Sequence, residues 1–113
     1  MKRSFVTCFA ALAFAAATPS YAAEGNASAG AQKNAMCAGC HGIPGYKTAF
    51  PEVYMVPKLG GQHAGYIVSA LRAYKSGERT HPSMRAIAAT LSDQDMADLA
   101  AYYSSAQAQQ AAK

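Results

Sequence analysis

The chain has 113 residues, which favours a single domain, and 51% of them are hydrophobic. Alanine supplies 27 of these residues, and residues 23–113 contain only eleven Leu, Ile, Val and Phe residues. This composition excludes a membrane-spanning mature protein, and the small net charge of +4 argues against a nucleic-acid binder. Because so few large apolar side chains cannot fill a core, we expect a bound group or a cross-link to complete it.

The first 22 residues have the three-part pattern of a secretory signal peptide. Lys2 and Arg3 precede an apolar run over residues 5–17, and the small residues Ser20 and Ala22 stand at positions −3 and −1 of the expected cleavage site. The run is shorter than the ~20 residues that a membrane span needs. We therefore expect cleavage after Ala22, a periplasmic location and a mature domain over residues 23–113, whose net charge falls to +2 without Lys2 and Arg3.

Apolar periodicity and capping residues predict four helices in the mature region. They cover residues 27–38, 62–76, 85–91 and a last segment that begins at Ser92. Asn26 or Ser28 would cap the first helix, and Gly77 would end the second. Ser92 and Asp95 form a variant capping box at the start of the last helix.

The last helix carries the clearest apolar stripe, and the loops carry the other signals. The stripe consists of Met96, Leu99, Ala100 and Tyr103. Residues 42–61 contain three prolines and four glycines without strand alternation, and residues 78–84 also look irregular. Loops this long in a small domain usually wrap or bind something. We therefore predict an all-α fold without a sheet, followed by a polar tail over residues 106–113 that frays.

Cys37, Cys40 and His41 form the C-x-x-C-H pattern of covalent c-type haem attachment. On one helical turn the two sulfurs face the same side, where each can bond to one haem vinyl group, and His41 can offer a ring nitrogen to the iron. A zinc finger would need closer partners than His63 and His81, and a thioredoxin-like pair would need a βαβ unit. The motif predicts one haem c per chain, with Cys37 and Cys40 as thioether residues.

The second axial ligand of the iron decides whether the site is open or filled. Met84 follows His81-Pro82 in a segment predicted to be irregular, 43 residues after His41. The intervening helix could carry the chain to the opposite face of the haem, so we predict Met84 as the ligand, with His81 as the alternative. The other methionines of residues 23–113 have three different expected places. Met36 would lie beside the attachment motif, Met55 would pack in the first loop, and Met96 would lie in the core.

The order of these motifs resembles that of the class I cytochromes c. The motifs follow one another over nearly the whole mature chain. They are C-x-x-C-H, Pro-Lys-Leu, a central helix, Pro-Ser-Met and finally Leu-Ser-Asp-Gln-Asp-Met-Ala-Asp-Leu-Ala-Ala-Tyr-Tyr. The resemblance is closest to small soluble bacterial members and to single domains of periplasmic dihaem cytochromes, although this chain has one haem motif. It implies a cytochrome c fold of three to four helices around one haem.

The resemblance also implies two specific contacts. The first and last helices would cross, with Gly30 or Ala29 against Leu99 and Tyr102. A ring nitrogen of His41 would hydrogen-bond the backbone carbonyl of Pro57, a contact that fixes the tautomer of an iron ligand.

The function predicted from these features is periplasmic one-electron transfer in a respiratory chain, without enzymatic activity. The expected partners are transient redox proteins, with a dehydrogenase or cytochrome complex as donor and an oxidase or reductase as acceptor. A haem enzyme or gas-binding protein with a labile distal site is the alternative, as is a subunit of a larger oxidoreductase. Basic residues that could orient a docking face are Lys47, Lys58, Arg72, Lys75, Arg79 and Arg85.

Overall fold

The computed structural model describes residues 23–50, 53–106 and 108, so the predicted signal peptide lies outside the described residues. Its elements are α1 (Ala27–Lys33), α2 (Ala35–His41), β1 (Lys47–Thr48), β2 (Tyr54–Met55), α3 (Ala64–Ser76), α4 (Pro82–Ala89) and α5 (Asp93–Ser104). The predicted helical fold class is confirmed. None of the described helices is long and apolar enough to span a membrane.

The first predicted helix is divided in two at Asn34. This residue ends α1 and begins α2, and its carbonyl oxygen accepts a hydrogen bond from the backbone N–H of Cys37 at 2.9 Å. Asparagine is a weaker helix former than its neighbours lysine and alanine, so a break at this position costs little. Asn26 rather than Ser28 caps α1, since its side chain accepts from the N–H of Ala29 at 2.9 Å. The second piece continues to His41, so the whole attachment motif is helical.

A small antiparallel ladder lies within the loop that was predicted to contain no strand. Lys47 pairs with Met55 and Thr48 with Tyr54. The prediction of no sheet was therefore wrong at these four residues. Two residues per strand are too few to show an apolar alternation in the sequence.

Helix α4 begins at Pro82, three residues before the predicted start. Proline fits the first turn of a helix because its φ angle is already helical and its missing N–H is not needed there. The preceding His81 caps the helix, and its Nδ1 accepts from the N–H of Met84 at 3.4 Å. The prediction that Met84 lies in an irregular segment was therefore wrong, because Met84 lies in the first turn of α4.

Helices α1 and α5 cross at glycine. A Cβ atom on Gly30 would overlap the carbonyl oxygen of Asp98 and would lie 2.7 Å from the Cβ of Tyr102. The small residue at the crossing is thus Gly30 and not Ala29, and Tyr102 faces it as predicted. Gly25 makes an equally close approach to the carbonyl of Ala97, a contact that the sequence did not predict.

A polar clasp beside this crossing ties the two helices together. Asp98 is only 3% exposed and accepts from the N–H of Asn26 at 2.8 Å, from Lys33 Nζ at 2.6 Å and from Gln94 Nε2 at 2.9 Å. Lys33 also forms an ion pair of 2.7 Å with Asp95. The pKa of Asp98 falls from 3.8 to about 2, mainly because Lys33 donates a hydrogen bond to its carboxylate. The clasp therefore keeps this buried carboxylate charged.

The core forms where α5 packs against α3. All four residues of the predicted stripe on α5 are buried, and they join Ile67 and Leu71 of α3 in one cluster. The end of α3 and the start of α5 are as predicted, whereas α3 begins at Ala64, two residues after its predicted start. Ser92 and Asp95 complete the capping box of α5, and Gly77 ends α3 with a left-handed φ of 89°.

The far end of the chain adds one more core residue. Ala108 is 4% exposed and belongs to the same cluster. The chain therefore contacts the core at Ala108, within the segment over residues 106–113 that was expected to fray.

Candidate functional site

The elements enclose one largely apolar cavity of about 350 Å³. The predicted site residues all line it: Cys37, Cys40, His41, Pro57 and Met84. They come from α2, from the segment after the ladder and from α4, so their convergence depends on the fold and not on closeness in sequence. Cavities of this size are typical of small-molecule and cofactor sites. Apolar walls come from α3, α4, α5 and the loop: Val56, Leu59, Ile67, Leu71, Ile87 and Leu99.

Helix α2 brings both cysteines and the histidine to the cavity. Positions three and four apart on a helix lie on the same face, which is the spacing of Cys37 to Cys40 and of Cys37 to His41. Both cysteines are free thiols and half-buried. Burial raises the pKa of the Cys37 thiol, while a hydrogen bond with the Tyr103 side chain acts in the opposite direction. Cys37 is therefore held in the cavity as a neutral thiol.

The His41 ring is oriented by the backbone of Pro57. Its Nδ1 lies 2.6 Å from the Pro57 carbonyl oxygen. A carbonyl only accepts, so this contact requires the proton on Nδ1 and leaves the lone pair on Nε2. A neutral imidazole with a free Nε2 is the form that binds iron, and a carbonyl partner of this kind fixes the ring.

Met84 and His81 line the cavity at the start of α4. Met84 is half-buried and packs against the core cluster. The Nδ1 of His81 accepts the N–H of Met84, and its ring makes an edge contact with Tyr54 at 5.0 Å between centroids. His81 thus has a role in this structure that does not involve a ligand, because it caps the helix that carries Met84.

The remaining mature methionines occupy three different environments. Met96 is fully buried, which confirms its predicted place in the core. Met55 is 52% exposed and does not line the cavity, so the prediction that it packs in the loop was wrong. Met36 lines the cavity next to Cys37 but is 53% exposed.

Several polar residues line the cavity that the sequence did not assign to the site. Tyr103 is the clearest case, because its position on the α5 stripe indicated only a core residue. Burial, followed by the neighbouring Cys37, raises the pKa of its hydroxyl well above the usual range. Tyr54, Tyr66, Tyr74 and Arg79 also line the cavity. Tyr66 and Tyr74 lie on the apolar face of α3, and this position in the sequence pattern was the signal that could have assigned them to the site.

The alternative chemistries of the cysteine motif find no support in the described part of the chain. No group of three or more His, Cys, Asp or Glu side chains there could hold a metal ion. In the described part of the chain, the two strands pair antiparallel. A thioredoxin-like site would instead need a βαβ arrangement.

Comparisons with known proteins agree with this geometry. The sequence model of the family described as Cytochrome c matches residues 22–107. Cytochrome c-554(548) of Halomonas halodenitrificans is 44% identical over 84 residues, which cover 72% of this chain and 96% of that protein. Cytochrome c4 of Pseudomonas aeruginosa is 43% identical over 83 residues, 74% of this chain and 39% of that protein.

A third relative has a name that states a role. The "Thiosulfate dehydrogenase electron acceptor" of Stutzerimonas stutzeri is 42% identical over 73 residues, which cover 64% of this chain and 32% of that protein. The chain thus spans about a third of this relative and nearly all of the Halomonas protein.

Proposed function

Because this chain belongs to the cytochrome c family, whose members carry covalently bound haem c and transfer electrons, we propose that it is a class I, one-haem electron carrier with His and Met as axial ligands. The observation that supports the finer proposal most strongly is the convergence of Cys37, Cys40, His41 and Met84 on one apolar cavity. A filled coordination sphere favours electron transfer over catalysis at the iron.

The residues around the cavity fit a haem. Its walls are mostly aliphatic and aromatic, as a large apolar ring requires, and two thiols are available on one helical turn. The donor set of one imidazole and one thioether is also that of the cytochromes c. The eleven Leu, Ile, Val and Phe residues of the mature chain leave a core that such a ring would complete.

Cys37 and Cys40 would hold the group by thioether bonds, which keep it in place in a protein too small to enclose it. His41 would donate Nε2 to the iron, since the Pro57 carbonyl retains the proton on Nδ1. Met84 would donate its sulfur from a position that the His81 cap and the core contacts restrain. When bound, haem c supplies one iron that gains and loses a single electron.

The surroundings of the cavity would set how readily the electron is gained. A thioether ligand favours the reduced iron and so raises the reduction potential, and burial among apolar side chains acts in the same direction. His41 would be held by its contact with the Pro57 carbonyl, and Met84 by the His81 cap and its contact with the core cluster. The residues therefore need to move little when the charge changes.

We further propose that residues 1–22 are a signal peptide and that the mature domain, residues 23–113, acts in the periplasm as a respiratory electron carrier. Its partners would be redox proteins that bind transiently, through the small interfaces typical of such encounters. A dehydrogenase as donor is supported by the relative named as an electron acceptor of thiosulfate dehydrogenase.

The experiment that tests the proposal replaces one methionine at a time in the haem-bearing protein. Oxidised wild type should show the weak near-infrared band of a sulfur–iron bond. Met84→Ala should abolish the band, whereas Met55→Ala, an exposed methionine away from the cavity, should keep it. Retention of the band in Met84→Ala would contradict the ligand assignment.

Covalent attachment is measured on the same samples. The denatured wild type should have the mass of the polypeptide plus one haem. A mass without haem would contradict the proposed attachment at Cys37 and Cys40.

A further inference from the structure

Among the described residues, two histidines line the cavity, although the proposed coordination of iron uses only one of them. His41 belongs to the attachment motif, and His81 directly precedes the first turn of α4. His81 lies three residues before Met84, and both side chains line the cavity. Imidazole is a good ligand for iron. A protein that uses Met84 as the ligand therefore has to keep His81 off the iron.

The two histidine rings are held in opposite tautomers. The Pro57 carbonyl requires the proton of His41 on Nδ1, which leaves Nε2 able to bind iron. The Nδ1 of His81 instead accepts the N–H of Met84, so the neutral ring has its proton on Nε2 and its lone pair serves the helix cap. His81 can bind iron only after it gives up this contact. At 3.4 Å the hydrogen bond is long, and by itself it is a weak restraint.

The ring of Tyr54 supplies a second restraint on His81. The two ring centres lie 5.0 Å apart with 63° between the ring planes, which is a favourable edge contact between aromatic rings. Tyr54 lines the cavity as well. The contact thus links the loop that follows His41 to the helix that carries Met84.

Both partners of this contact lie on restrained backbone. Tyr54 pairs with Thr48 in the ladder, and its carbonyl oxygen accepts from Thr48 Oγ1 at 3.3 Å. His81 has an extended backbone with φ −139° and ψ 112°, a conformation that the following Pro82 favours. The carbonyl oxygen of His81 accepts from the N–H of Arg85 at 2.8 Å. The part of His81 that can move is therefore its side chain, which is the part that the Tyr54 ring contacts.

We propose that Tyr54 is a positioning residue that holds His81 away from the iron and so selects Met84 as the second axial ligand. The inference rests on the proposed function, since it requires a bound haem with Met84 on the iron. Without the Tyr54 ring, the His81 side chain can rotate out of the cap and compete with the Met84 thioether. This exchange replaces an iron–sulfur bond with an iron–nitrogen bond and leaves the oxidation state unchanged.

The test follows the near-infrared band of the oxidised holoprotein during heating. Loss of one aromatic pair shifts an equilibrium by roughly two- to tenfold, here toward His81. At the temperature where wild type retains half of the band, Tyr54→Leu should therefore retain about a third to a tenth of it. The visible spectrum should stay low-spin as the band fades, because an imidazole replaces the thioether. Tyr54→Phe, which keeps the ring, should behave as wild type.

Two further variants separate ligand exchange from a general loosening of the loop. Met55→Leu is the matched control, because Met55 is the next residue of β2, is 52% exposed against 50% for Tyr54, and does not line the cavity. It should lose the band at the wild-type temperature. Tyr54→Leu combined with His81→Ala should retain more of the band than Tyr54→Leu alone, since the competing ligand is then absent.

Three results would each overturn the proposal. Tyr54→Leu could lose the band at the wild-type temperature, its iron could become high-spin as the band fades, or the double variant could retain no more of the band than Tyr54→Leu. A failure of the proposed function is different, because the oxidised wild type would then lack the band at every temperature.

Discussion

Replacing Gly30 with alanine tests the crossing of α1 and α5. The added methyl group would overlap the Asp98 carbonyl oxygen and would meet the Cβ of Tyr102 at 2.7 Å. Both obstacles are fixed by the backbone of α5, so rotation of a side chain cannot relieve the overlap. The two helices must therefore move apart or bend.

The expected loss of stability follows from two opposing effects. Overpacking of a tight contact costs about 1–3 kcal/mol, and the upper end applies because backbone atoms are involved. Alanine is favoured over glycine within a helix by about 1 kcal/mol. The difference is a net destabilisation of about 2 kcal/mol, which corresponds to a fall in Tm on the order of 10 °C for a domain of this size.

Denaturant unfolding of the holoprotein measures this change. Gly65→Ala in α3 is the matched control, because a Cβ there would have no neighbour within 4 Å. The control should leave the stability unchanged or raise it by up to about 1 kcal/mol. If Gly30→Ala is as stable as wild type, the close packing of α1 on α5 is refuted.

Three other changes have expected outcomes. The lowered pKa of Asp98, due first to Lys33, means that its charge stabilises the fold above the unfolded-state pKa of about 4 and that this contribution is lost as the pH falls toward 2. Asp98→Asn should therefore flatten the acid dependence of the denaturant midpoint between pH 6 and 2, and parallel profiles would contradict this. Cys37→Ser combined with Cys40→Ser should leave a largely unfolded apoprotein, an expectation refuted by a cooperative thermal transition. His81→Ala should cost about 1 kcal/mol as a lost helix cap and should keep the near-infrared band, whose disappearance would make His81 necessary for ligation.

The features predicted correctly from the sequence are those set by adjacent residues. Ser92 and Asp95 cap α5 because both partners of the capping box lie within one turn. Gly77 ends α3 because only a residue without a side chain adopts its φ angle easily. The apolar stripe of α5 is likewise a local pattern, and all of its residues are buried.

The features that were missed depend on distant contacts or on very short elements. The approach of Gly25 to Ala97 and the burial of Asp98 arise only when α1 meets α5. The ladder involves two residues on each strand and leaves no periodic signal. Pro82 was placed in the irregular segment over residues 78–84, although a proline before a helical run also fits the first turn of the helix.

The candidate site divides in the same way. The attachment motif and Met84 could be selected from spacing and residue chemistry, and the structure brings them to one cavity. The positions of Tyr103 and Arg79 on the cavity wall could not, because the first depends on the packing of α5 in the core and the second on the turn of the chain after α3.

The most direct test of the account is the response of the reduced wild-type protein to carbon monoxide. If His41 and Met84 both remain on the iron, the reduced protein is low-spin and its visible spectrum stays unchanged when carbon monoxide is mixed in. A high-spin reduced form that binds carbon monoxide at once would show an open coordination position and would contradict the assignment of this protein as an electron carrier.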